Sequence, residues 1–254
     1  MERAPVRNAL IAVLAIACIG ASQPPAAAQA PAKPYKPVPV AIPNAARDAG
    51  LDALRKELVD IARRKDRAAL AGRIAKDFFW ERDVGGNFDP KKPPVDNLTA
   101  ALGLDDDGSG WDTLAAFASE PSLGPLPGRA TAICAPATPD FDEAARDRLI
   151  EESQTDGVEW TYPRAAGLQV HAAPQANAAV IETLGLAFVH VLGFEGKQTD
   201  ADPIRISWAR VATPSGKTGF VAPNSLLSPY SDRLCFARDA GSAWRIGGYV
   251  GGGD

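Results

Sequence analysis

Two hydrophobic periods divide this chain. Over residues 47–125 apolar side chains recur at three- and four-residue steps. Leu51, Leu54, Leu58 and Ile61 lead, with Arg55, Lys56, Glu57 and Asp60 on the other faces. That spacing predicts an amphipathic helix beginning near Ala45. Arg63, Arg64 and Lys65 fall in its last turn, where the helix dipole favours cations. Asp66 suits an N-cap, and Leu70, Ile74 and Phe78 mark a second helical stripe. A third short helix is expected over 95–102, stopped by Gly103, and a fourth over about 111–118.

From Gly157 onward the period changes to two. Leu168/Val170, Val189/Val191 and Trp208 with Val211 sit in short β-type runs between Gly, Pro, Asn and Ser turns. Residues 233–238, a turn at 239–242 and residues 243–249 read as a further hairpin in a tail spanning 231–254. Between the two regimes, 126–156 is expected to be an irregular connector, because Pro127, Pro136 and Pro139 resist regular structure. Within it, 142–152 reads either as a helix or as an acidic surface loop. Residues 31–46 carry five prolines and predict an extended, semi-rigid linker. The expected class is α+β: a small helical domain at 47–125 followed by a β-domain at 157–230.

The N-terminus looks like an address. Arg3 and Arg7 precede an apolar run from Ala9 to Ala21, and the small-residue stretch ends Ala28-Gln29-Ala30. This is the pattern of a secretory signal peptide over 1–30, cleaved after Ala30, with a run too short to span a bilayer. Cys18 in Leu14-Ala15-Ile16-Ala17-Cys18 offers a rival reading as a lipoprotein anchor, although Ala15 stands where such boxes usually carry leucine. The expected location is periplasmic or extracellular. Without Arg3, Arg7 and Glu2, the 27 basic and 31 acidic residues become 25 and 30, a net charge of −5. That balance argues against a protein that coats nucleic acid. Export also leaves Cys134 and Cys235 as an even pair in an oxidising compartment, which suggests a disulfide. The alternative is two buried small hydrophobes that never meet.

Reactive chemistry is sparse. The chain has two histidines, His171 and His190, and alternation turns both outward from strands that bury valines. Asp105-Asp106-Asp107-Gly108 invites a calcium reading, but the first and twelfth positions of an EF-hand loop would be Gly103 and Leu114. A turn that starts the next helix explains the run better. The pairs Asp140/Asp142 and Glu151/Glu152 are tied to no pocket, and Cys134 has no evident helix N-terminus to activate it. No catalytic residue, metal ligand or cofactor is expected.

The β-half resembles a known family. Gly167-Leu168-Gln169-Val170-His171-Ala172-Ala173-Pro174 resembles the opening of bacterial SH3 (SH3b) domains. Val180–Leu184, 189–192 and Trp208-Ala209-Arg210-Val211 are similar to their second, third and fourth strands. Gly216-Lys217-Thr218-Gly219-Phe220-Val221, followed by Ser225-Leu226-Leu227, is similar to their closing hairpin and 3₁₀ turn. His171 and Ala173 depart from the usual arginine and glycine, and 195–206 reads as an insertion that lengthens a loop. The resemblance implies an SH3-like β-barrel, with the tail hairpin packing on it or on the helices. It also implies binding of peptidoglycan, cell-wall peptide or an extended protein segment, through Tyr162, Trp208, Tyr230 and His171. For Trp208 the alternative is a cover on the barrel edge. Two rival readings are an envelope scaffold that docks a protein partner and a wall hydrolase, catalytic over 47–155, with an SH3 targeting module.

Overall fold

The computed structural model describes residues 32–252 except 46, 106, 200 and 201, with the backbone alone over 197–207. The expected signal peptide and Cys18 lie outside the described residues. Pro31–Asp254 forms one compact unit. It is an α+β protein built on two sheets.

Helix α1 spans Ala49–Arg64 and α2 Arg67–Ala71, each capped by an aspartate, Asp48 and Asp66. The next element departs from expectation, because Ile74–Glu81 is a strand, β1. Ile74 and Phe78 lie four residues apart, a spacing that satisfies a helix and an even-numbered strand face equally. Gly72 ends α2, and the aromatic run Phe78-Phe79-Trp80 suits a pleated surface. Helix α3 (Pro94–Leu102) stops at Gly103 in the left-handed region, as expected, and α4 covers Ser109–Ser119. The stretch 126–156 is more regular than expected. After β2 (Gly124–Leu126) it holds β3 (Arg129–Ala135) and α5 (Glu143–Ser153), the latter capped by Asp142.

The strands β4 (Trp160–Pro163), β5 (Leu168–His171), β6 (Val180–Leu184), β7 (Val189–Thr199), β8 (Asp202–Ala212), β9 (Thr218–Val221) and β10 (Leu226–Leu227) follow in order. They make a seven-stranded sheet ordered β10-β4-β7-β8-β9-β5-β6. Residues 195–199 and 202–206 therefore continue the paired strands β7 and β8 rather than forming a loose loop. The sheet is not closed into a barrel. Strand β10 is only two residues long and stops short of Pro229, leaving little ladder for β6 to close against. One face still gathers a core of Val170, Leu184, Val189, Val191, Val211 and Val221. Gly219 makes this packing possible, since a Cβ there would lie 2.5 Å from Val170 Cγ1 and 2.7 Å from the His171 carbonyl.

The tail supplies β11 (Arg233–Arg238) and β12 (Trp244–Val250). These strands form the centre of the other sheet, ordered β1-β12-β11-β3-β2, in which β1 and β12 run parallel. Leu234, Phe236 and Ile246 join Leu54, Leu58, Leu98 and Leu114 in one core, so α1, α3 and α4 cover one face of this sheet. On the opposite face Cys235 of β11 stands directly across from Cys134 of β3, and the two are bonded at 2.02 Å. A bridge separated by 101 residues removes about 4–5 kcal/mol of denatured-chain entropy in the loop-closure picture.

The proline-rich stretch is not a free linker. Val38 and Val40 are buried while Pro37 and Pro39 face water, so alternate side chains enter a cluster with Trp160, Tyr162, Phe188 and Leu149. Phe188 N donates to Val38 O at 3.0 Å, and Val40 N donates to Leu186 O at 3.0 Å. The amide-less prolines fall at the solvent-facing positions of this extended strap, where no donor is required.

Candidate functional site

Burial alternates along β8. Ala209 and Val211 are fully buried, so Trp208 and Arg210 point to the opposite face, both half-exposed. Register extends that outer face sideways: Arg210 pairs with Phe220 of β9, and Phe220 pairs with His171 of β5. The His171 ring meets Trp208 edge-on with centroids 5.8 Å apart, and its Nδ1 lies 3.0 Å from the Ala178 carbonyl. On the other side Arg210 pairs with Gly193, which adds no side chain, and Trp208 pairs with the exposed Glu195. The result is an open strip of three rings edged by a cation and an anion. Such rings offer wide contact area with few rotors to freeze.

Two of the four residues expected to bind ligand, Trp208 and His171, are thus brought together. Tyr162 is not with them. It is 1% exposed, packed against Phe188, with its hydroxyl pKa pushed up to about 12 by burial. The expectation of an exposed Tyr162 fails because its strand, β4, is sandwiched between β7 and β10 beneath the strap. Tyr230 lies elsewhere, half-buried, with the Arg146 guanidinium 5.2 Å from its ring centre. Phe220 was read in the sequence only as part of the closing hairpin and not as a site residue, although its alternation with buried Gly219 and Val221 carries the signal.

His190 also turns away from the valines, but it does not reach open solvent. Its ring stacks on Trp160 at 5.0 Å and 19°, and its Nε2 lies 3.2 Å from Glu159 Oε2. His190 and Trp160 border a cleft of about 310 Å³ closed on one side by the strap. Tyr35 stands there edge-on to Trp160 and donates its hydroxyl to Ala212 O at 3.0 Å. Burial pushes the Tyr35 hydroxyl far above its ordinary pKa. It acts as a fixed hydrogen-bond donor, not as an acid.

A third concavity, of about 460 Å³, lies where α5 approaches the start of β11 and the end of β1. Arg82, Arg146 and Arg233 line it together with Tyr230. Burial pulls the Arg233 pKa down and the neighbouring Arg82 charge adds to that, while Tyr162 and Asp232 oppose it.

Among the described residues no group of three His, Cys, Asp or Glu side chains converges to hold a metal. In the acidic run, Asp107 accepts from Ser109 N at 2.8 Å and so shapes the turn into α4. No helix among the described residues is long and apolar enough to cross a membrane. The cysteine bridge is compatible with a periplasmic or secreted protein. No family model, curated protein or solved structure matches the chain.

Proposed function

We propose that this chain is an exported binding protein whose C-terminal SH3-like module takes an extended peptide, in the first place cell-wall peptide of peptidoglycan, on the strip formed by Trp208, His171 and Phe220. The observation that carries the reading is the half-exposed Trp208–His171 pair beside a glycine-flattened stretch of the same face. Half-buried aromatics on rigid strands suit recognition of an extended chain. The same sheet already holds one such chain, since the strap is bound through main-chain hydrogen bonds and alternating apolar side chains. Nothing in this reading requires a catalytic residue.

Titrating residues 31–254 with soluble peptidoglycan fragments, followed by amide chemical shifts, tests it. Shifts are expected to cluster on β5, β8 and β9. Saturating shifts confined to the five-stranded sheet would place binding elsewhere and overturn the assignment.

A further inference from the structure

The cleft between α5 and β11 shares no residue with the aromatic strip, and its composition asks for an explanation of its own. Arg146 and Arg233 are 6% and 1% exposed, so two guanidiniums have been taken almost wholly out of water. Buried cations are ordinarily paired with carboxylates. Here the Arg233 Nη2 donates to the Pro229 carbonyl at 2.8 Å, and the Arg146 Nη2 donates to the Gly157 carbonyl at 2.9 Å. The nearest acid to Arg146 is Asp147, at 3.9 Å and three-quarters exposed, too far for a hydrogen bond and largely screened by water. The other acid on the rim, Glu143, is exposed.

Unused hydrogen-bonding capacity collects at the same place. Arg146 Nε, Arg233 Nε and Thr138 Oγ1 are buried without a partner among the described residues, and all three side chains line this one cleft. Arg82 adds a third, exposed guanidinium at the mouth. Phe141 and Tyr230 contribute apolar wall beside them.

We propose that this cleft is a small-molecule site for an oxyanion, a carboxylate or a phosphate monoester, carried on a ring or a compact apolar body. Guanidinium forks match both anions bidentately, and the buried position keeps water from screening them. A hydroxyl at Thr138 adds to the donor set, and the two carboxylates in the lining, Asp147 and Glu143, are both exposed. The volume of about 460 Å³ lies in the range of small-ligand pockets. The apolar wall sets the ligand's body, and the arginines set its charge.

Calorimetric titration of residues 31–254 with benzoate, phenyl phosphate and the neutral benzamide tests the proposal at low salt. Saturable binding of at least one anion is expected, with benzamide giving none. Whichever anion binds more tightly distinguishes the carboxylate from the phosphate. Arg82→Glu, an exposed change, is expected to weaken binding at least about tenfold while leaving thermal unfolding unchanged. Arg146→Gln is expected to abolish binding, and the Arg82 variant keeps the test decisive if that protein fails to fold. The proposal is overturned if neither anion saturates the wild type, if benzamide binds equally, or if Arg82→Glu binds like the wild type.

Discussion

Asp48 shows how much one carboxylate can organise. Its Oδ1 accepts from Gly50 N at 2.9 Å, Leu51 N at 3.1 Å and Trp244 Nε1 at 2.8 Å, and its Oδ2 accepts from Arg238 Nη2 at 2.6 Å. It therefore caps α1 and pins the tail hairpin to that helix. The Leu51 amide, foremost, and the Trp244 and Arg238 side chains hold its pKa below the ordinary 3.8. Asp239 is lowered likewise, chiefly by the Ala243 amide, and Asp107 chiefly by the Ser109 side chain. A carboxylate whose pKa is depressed by folding adds stability that is fully present above its unfolded value and is lost as pH falls through its folded one. We predict a flat unfolding midpoint from neutral pH to about 5 and a decline below about 4. Asp48→Asn should make that acid decline shallower. Denaturant melts across the pH range check this, and an unchanged acid slope in the variant would remove Asp48 from the account.

At the scale of elements, the strap and β1 both depart from the sequence reading. The cap at Asp66, the stop at Gly103 and the strand at 233–238 were legible because each rests on local chemistry, whereas the first helix starts at Ala49 behind an Asp48 cap rather than near Ala45. Strand β1 was not, because Ile74 and Phe78 fit both periods and only pairing with β12 decides between them. Proline content made 31–46 look like a spacer, yet the valines between the prolines carry the strap into a core. Of the candidate site, the outward direction of His171 was readable from alternation, and Trp208 entered through the family resemblance. Tyr162 was misjudged because exposure depends on what covers a strand, and no periodicity encodes that. The strap yields a direct prediction: Val40, 5% exposed, should lose about 1.5–3 kcal/mol on truncation to alanine. Urea unfolding measures this, and a change within about 0.5 kcal/mol would mean that the stretch is a spacer after all.

Across the whole molecule, strands from before and after the seven-stranded module build one sheet. Strands β11 and β12 lie between β1 and β3, so the helical half cannot complete its core until the tail has been made. The intervening seven-stranded module is tied to that half by the Arg164–Glu120 ion pair, whose glutamate is 6% exposed. We predict that residues 31–230, lacking the tail, lose most of the helical circular dichroism of residues 31–254. A truncated protein that keeps its helices would show the tail to be an appendage.

The functional account turns on the outer face of β8, and co-sedimentation with purified peptidoglycan sacculi tests it most directly. Residues 31–254 should pellet with the sacculi, and a Trp208→Ala variant with an unaltered unfolding midpoint should remain in the supernatant. Wild type and variant both left in the supernatant would contradict wall recognition and favour a protein partner. Equal pelleting of the two would contradict the assignment to Trp208.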